Sequence, residues 1–157
     1  DARHIARHLS HHLGLRGIDP APEPDLHRVV EAQHERARTL VEMADISEFF
    51  YQDFDTYDEK AARKHLRPAA REPLERMREA LVALGDWEPQ ALHQQVKDVA
   101  TSLDLAMGKV AQPLRVAVVG RAASPGIDVT LHLVGREACL RRIDRALDFI
   151  RQRMEQG

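Results

Sequence analysis

Nine histidines, a single cysteine and scattered carboxylates are the groups in this 157-residue chain with the capacity for chemistry. His4, His8 and His11 fall at i, i+4 and i+7, one face of a helix, and imidazole nitrogens can hold zinc at that spacing. His12 lies beside them. No His-Glu-x-x-His, nearby cysteine or acidic partner accompanies them, so the residues predict an exposed helix face and no metal. A hydrolase reading fails sooner. Ser124-Pro125-Gly126 is turn chemistry, and the Gly-x-Ser-x-Gly elbow is missing. No Walker loop or Rossmann glycine fingerprint occurs. Asp128, Asp144 and Asp148 stand on separate helical turns and read as solvated or capping residues. Cys139 alone excludes a disulfide framework or thiolate cage within the chain and suits a reducing cytoplasm. Its expected role is that of a small buried helix residue. No catalytic residue is predicted.

Arginine is the other candidate chemistry. Arg3 and Arg7, then Arg63-Lys64 with Arg67 and Arg71, then Arg136 with Arg141, Arg142 and Arg145 form local clusters. The net charge of -2 argues against a non-specific nucleic-acid coat but leaves room for a local basic site.

The elements that must position these groups read as helices. Apolar residues make up 43% of the chain, which argues against disorder, and aromatics only 4%. Ile5, Leu9 and Leu13 mark a first helix over 2–13, broken by Gly14 and Gly17. A proline-rich connection, 18–24, follows. Leu26, Val29 and Val30 mark a helix reaching about Arg36, and Thr39-Leu40-Val41-Glu42 matches a capping box for a third. The aromatic group Phe49-Phe50-Tyr51 with Phe54 is expected to close a core between two subdomains. Residues 58–65 make a short helix. A longer one runs to Leu84, with Pro73 in its first turn and Gly85 as its stop. Glu88-Pro89 caps and opens the next, whose stripe is Leu92, Val96, Val99 and Leu103. Leu114 to Val119 has strand propensity, yet Pro113 before it is equally a helix start. Residues 128–134 share that ambiguity, and Gly135 ends them. The last helix spans 136 to about 155, with Leu140, Ile143, Leu147, Ile150 and Met154 inward. No apolar run reaches membrane-spanning length, and no signal-like N-terminus precedes the first helix.

The block Met107-Gly108-Lys109-Val110, Gln112-Pro113-Leu114-Arg115, an apolar run to Gly120 and Ser124-Pro125-Gly126 is specific as a whole. It resembles the C-terminal anticodon-binding region of bacterial glutamyl-tRNA synthetases. Arg38-Thr39-Leu40-Val41-Glu42-Met43 with Phe49-Phe50-Tyr51-Gln52-Asp53-Phe54 is similar to a second motif of that family, whose first arginine falls on Arg36. His65-Leu66-Arg67-Pro68 and Leu84-Gly85-Asp86-Trp87 resemble its proteobacterial branch, as do Gly135-Arg136-Glu137 and Arg141 to Leu147.

The resemblance implies an all-α anticodon-binding domain of a class I synthetase. It implies two packed helical subdomains, 1–56 and 57–157, the first truncated at its N-terminus. It resolves both ambiguous segments as helix. Relatives join glutamate to its tRNA using ATP and magnesium, through adenylate-forming motifs of the HIGH and KMSKS type. Neither motif is in this sequence, so the catalytic half is expected to be absent, with no cofactor in the chain itself. The implied partner is the anticodon loop of glutamate tRNA, with no DNA, no membrane and a monomeric cytoplasmic protein. The family's arginine for the third anticodon base falls on Arg36. Its arginine for the first and middle bases falls on Arg115, accompanied by Ser124, Pro125 and Ile127. A guanidinium presents planar paired donors to a base edge or a phosphate, and anticodon bases are splayed single-stranded targets. On the residues alone, Arg36 could equally pair with a glutamate and Arg115 with a carboxylate or a helix end. Ser124-Pro125-Gly126 could be only a turn. The other readings are a stand-alone helical RNA- or protein-interaction module and, on the N-terminal histidines alone, a metal-dependent enzyme.

Activation of glutamate requires its carboxylate to attack an ATP phosphorus within a phosphate cradle and positioned cations. The purified 157-residue chain should therefore show no glutamate-dependent ATP–pyrophosphate exchange above background. Measurable exchange would overturn this reading.

Overall fold

Apolar residues spaced three and four apart among charged ones can cover one side of a helix, not one face of a strand. A computed structural model of the chain describes residues 1–20 and 23–156. Every regular element among them is helical, and no strand forms. The helices are α1 (Ala2–Leu15), α2 (Leu26–Gln33), α3 (Leu40–Ser47), α4 (Glu59–His65), α5 (Arg71–Ala83), α6 (Pro89–Ser102), α7 (Gly108–Val119), α8 (Ile127–Val134) and α9 (Arg136–Gln156). Short 3-10 turns cover Glu48–Phe50 and Pro68–Ala70. The chain divides into two units, Asp1–Phe54 and Asp55–Gly157.

In the first unit α1, α2 and α3 pack on one another around Leu9, Leu13, Val29, Val30, Met43 and Ala44. Phe49 and Phe50 join this core with ring centroids 4.0 Å apart. The Tyr51 hydroxyl donates to the Pro24 carbonyl at 2.9 Å, and burial, then Asp25 and Glu23, hold its pKa well above the phenol range. Gly14 does not break α1. The helix continues to Leu15, and Gly17 at φ 78° ends it, because Ile18 N–H reaches Leu13 O (2.9 Å) and Gly17 N–H reaches Gly14 O (3.0 Å). The connection after it includes Ala21 and Pro22, which lie outside the described residues. α2 stops at Gln33, short of Arg36, whose N–H closes a turn on Gln33 O. Thr39 caps α3 as its motif predicts, accepting from Glu42 N–H at 3.0 Å.

The second unit is built around α7, which packs against α4, α5, α6, α8 and α9. Val110, Leu114, Val116, Ala117, Val118 and Val119 are all buried on it. Burying a valine or leucine side chain contributes about 1.5–3 kcal/mol, against a propensity cost under about 1 kcal/mol per residue. The valines therefore form a helix. Pro113 is not its first residue. α7 begins at Gly108, more than a turn earlier, and Pro113 is buried inside it, leaving the Lys109 carbonyl without an N–H at i+4. Gly120 at φ 85° closes the helix, and its carbonyl accepts from Asp58 N–H at 2.8 Å, which pins the start of α4 to the end of α7.

Other ends differ from the sequence reading. Gly85 is not left-handed, and α5 stops at Ala83 with Leu84 extended. α8 begins one residue early, at Ile127. Leu140 and Leu147 are only half-buried and Met154 is 45% exposed, while Cys139, Arg142 and Ala146 take the inner face of α9. Burial pushes the Cys139 thiol up to about 12. The loop after α6 repeats the closure of α1, with Leu105 N–H on Ala100 O and Asp104 N–H on Thr101 O, but a non-glycine, Asp104, carries φ 55°.

Several α9 arginines serve the fold. Arg136 donates to the carbonyls of Leu81 (2.6 Å) and Leu84 at the end of α5, with its guanidinium 4.8 Å from the Trp87 ring. Arg142, 3% exposed, donates to Val118 O at 2.8 Å, near the end of α7. Arg145 reaches Asp55 O and lies over the Tyr57 ring.

Left-handed backbone costs an L-residue roughly 1–2 kcal/mol, so Gly120→Ala should lower stability by about that amount and Asp104→Gly should raise it by up to about 1 kcal/mol. Urea titrations with unchanged m-values would measure both.

Candidate nucleic-acid interface

Arg36 lies in the turn after α2, exposed. Among the described residues no hydrogen bond or ion pair engages its guanidinium, so the pairing with a glutamate considered from sequence does not form. Its turn is fixed by backbone instead, since His34 N–H and Arg36 N–H close on Val30 O and Gln33 O.

Arg115, Ser124, Pro125 and Ile127 meet in the second unit. Arg115 projects from the third turn of α7, and its Nε donates to Ser124 Oγ at 2.8 Å. The Ser124 hydroxyl in turn faces the Pro125 carbonyl at 2.7 Å. Thr130, fully buried on α8, donates to that same carbonyl at 3.0 Å, with Ser124 Oγ at 3.2 Å. The turn is thus tied to two helices through one serine and one threonine. Pro125 is buried and Ile127, the first residue of α8, is 6% exposed. These two contribute the shape of the loop, whereas Arg115 and Ser124 remain half-buried.

Thr130 was not legible as part of this site. It reads as one more β-branched residue on the apolar stripe of α8, and only the fold brings its hydroxyl to residue 125. Lys109 and His65 were missed too. α4 packs on α7, its start tied to the end of α7 by Asp58 N–H on Gly120 O, and its last residue, His65, feels the charge of Lys109 in the first turn of α7. Burial, then the charges of Lys64, Arg67, Lys109 and Arg115, lower the pKa of the half-buried His65 imidazole. Lys109, Gln112 and Arg115 follow at i, i+3 and i+6, the polar stripe of an otherwise buried helix. Arg63 is differently placed, paired with Glu59 at 2.9 Å.

On α1 the His4 and His8 rings meet edge to face, 4.5 Å between centroids, with His4, His8 and His11 exposed. Among the described residues no group of three or more His, Cys, Asp or Glu is arranged to hold a metal ion. Nor is any described helix long and apolar enough to cross a membrane.

The second unit is thus a helical scaffold that holds an arginine against a Ser-Pro-Gly turn. The family model of the anticodon binding domain matches residues 4–147, and the chain belongs to that family. Its similarity extends to particular enzymes. It is 56% identical over 147 residues to glutamate–tRNA ligase 1 of Alkalilimnicola ehrlichii, covering 94% of this chain and 31% of that protein. It is 52% identical to glutamate–tRNA ligase 1 of Nitrosococcus oceani, covering 96% and 32%. Against glutamate–tRNA ligase 2 of Halorhodospira halophila the identity is 49%, covering 97% and 32%. The chain therefore spans about a third of the length of these curated relatives. Among solved structures, a glutamate tRNA ligase from Elizabethkingia meningosepticum superposes with TM-score 0.84 at 23% identity, over 95% of this chain and 29% of that one. The glutamate-tRNA synthetase of Elizabethkingia anophelis gives 0.79 at 22%, over 94% and 28%. At such identities these two establish the all-helical fold alone.

The lowered pKa of His65 has a sign. Folding favours the neutral imidazole, so the stability it carries is complete above the unfolded value near 6.5 and is lost as pH falls below it. The stability of the wild type should therefore fall relative to His65→Gln between about pH 7.5 and pH 5. Parallel unfolding curves for the two proteins would contradict this.

Proposed function

We propose that this chain reads the anticodon of glutamate tRNA for a glutamate–tRNA ligase. The observation that carries the proposal is the Arg115–Ser124 contact, in which a guanidinium is oriented by a turn that Thr130 locks in place. Family membership and the identity to three such ligases support it. Arg36 meets the third anticodon base. Arg115, with Ser124 and the loop backbone that Pro125 and Ile127 shape, meets the first and middle bases. The division at residue 54 supports treating 1–56 and 57–157 as two anticodon-binding subdomains. ATP and magnesium serve the ligase's catalytic portion, which supplies the adenylate chemistry. The protein works in the cytoplasm as a monomer.

The chemistry matches these residue types. A fork of donors can meet the acceptor edge of cytosine in two places, and a good bidentate contact is worth roughly 1–3 kcal/mol of discrimination. An ammonium offers only a point charge.

The test is binding of the chain to glutamate tRNA transcripts with each anticodon base replaced in turn. Arg36→Ala should relax the preference for cytosine at the third base by roughly tenfold, and Arg36→Lys should restore little of it. Arg115→Ala should relax preference at the first and middle bases. If both alanine variants keep the wild-type ratios, the residue assignment fails. If the wild-type chain shows no anticodon preference, the function itself fails.

A further inference from the structure

The cations of the second unit are not equivalent. Arg71, Arg78 and Arg151 pair with Glu75, Asp144 and Asp148. Arg136, Arg142 and Arg145 are turned onto backbone carbonyls. Arg63 is held by Glu59. Lys60, Lys64, Arg67, Arg76, Lys97 and Lys109 are different: all are exposed, and among the described residues no hydrogen bond or ion pair engages their side chains. Of these, Lys64, Arg67 and Lys109 act together on one imidazole, that of His65.

The fold gathers these three at one place. Lys64 stands in the last turn of α4. Arg67 precedes the Pro68–Ala70 turn, which packs against α7. Lys109 is in the first turn of α7. Asp58 N–H on Gly120 O ties the start of α4 to the end of α7, the two helices pack on each other, and Lys109 in the first turn of α7 acts on His65, the last residue of α4. After burial, the charges of Lys64, Arg67 and Lys109, with that of Arg115, lower the pKa of the His65 imidazole. Holding like charges together without a counter-charge costs stability, so an anionic ligand would find uncompensated charge at this place. The same stripe of α7 leads on to Arg115, about two turns further along.

We propose that Lys64, Arg67 and Lys109 form a phosphodiester-binding patch that holds the RNA backbone next to the anticodon bases, without itself reading sequence. The inference rests on the function proposed above for its particular RNA, but not for its chemistry. Lysine and arginine on an exposed surface recognise phosphate by charge, and each phosphate neutralised releases counterions. The patch supplies affinity that is common to all anticodons. Arg36 and Arg115 supply the differences between them. Lys64 and Lys109 are positioning residues for the bound RNA.

The experiment compares the chain with its Lys64→Ala, Arg67→Ala, Lys109→Ala and triple variants, binding glutamate tRNA and its anticodon-substituted forms over a range of salt concentrations. Each single variant should weaken binding several-fold at low salt, by the same factor for every anticodon. The slope of log affinity against log salt should flatten by about 0.7–0.9 for each phosphate that is no longer neutralised, and by about 2 in the triple variant. Lys64→Arg and Lys109→Arg should retain wild-type affinity, because only charge is required.

Unchanged affinity and slope in the triple variant would overturn the patch, and the wild-type anticodon preference would still stand on its own. A change in the ratio between anticodons, without a change in slope, would overturn it too, since the residues would then be reading bases. If the triple variant flattens the slope while the wild type shows no anticodon preference, the patch stands and the function proposed above falls. If the wild-type chain binds no RNA, both fall.

Discussion

A helix that is apolar on nearly every side has to be surrounded, and α7 sets this requirement for the second unit. Val110, Leu114, Val116, Ala117, Val118 and Val119 leave no broad polar face for water. Five helices pack around them. Burial contributes more per side chain than valine loses by being helical, so the choice between strand and helix is made by the neighbours. Polar ends follow as a second requirement. The last carbonyls of a helix have no partner within it, and a surrounded helix cannot leave all of them to water. Gly120 turns the chain, and Arg142 brings a guanidinium to Val118 O. The end of α5 is served likewise by Arg136.

This division of labour explains why a chain with net charge -2 can present a basic surface. Total charge counts every arginine alike. The fold uses some as caps for helix ends and others as partners of carboxylates, and these do not add to the field outside. Among the exposed cations left unengaged within the described residues are Lys64, Arg67 and Lys109, which act together on His65, and Arg36 in the first unit. On the function proposed above that economy matters, because a general basic coat would bind any nucleic acid through its phosphates.

The Ser-Pro-Gly turn shows how a short polar network gives a loop a definite form. A serine between an arginine and a carbonyl, with a buried threonine on the same carbonyl, uses hydroxyls both as acceptors and donors. Removing one member of such a buried network leaves its partners unsatisfied, which costs more than the bond itself contributes. Arg115 is consequently held by the same hydrogen bonds that shape the loop. Pro125 and Ile127 enter through burial, as packing for that shape.

By itself the sequence determined the helical class, most helix starts and much of the inward stripe of each helix, because these depend on near neighbours. Thr39, Asp58 and Glu88-Pro89 act within a turn of themselves, and the structure places each at the helix start that its type predicts. The family block from Met107 to Gly126 also brought Arg115 and Ser124 to notice as residues of one motif. Only tertiary structure decided the rest. Pro113 lies inside α7 because five neighbouring helices outweigh its missing N–H. Gly14 stays helical because Gly17 and Ile18 complete the closure three residues later. Which arginines face the solvent, and which cap a distant carbonyl, depends on helices far apart in sequence. So does the meeting of Thr130 with residue 125, and of Lys109 with the end of α4. Pattern encodes what a residue prefers over a few neighbours, while the charge a surface offers depends on what the fold has already used.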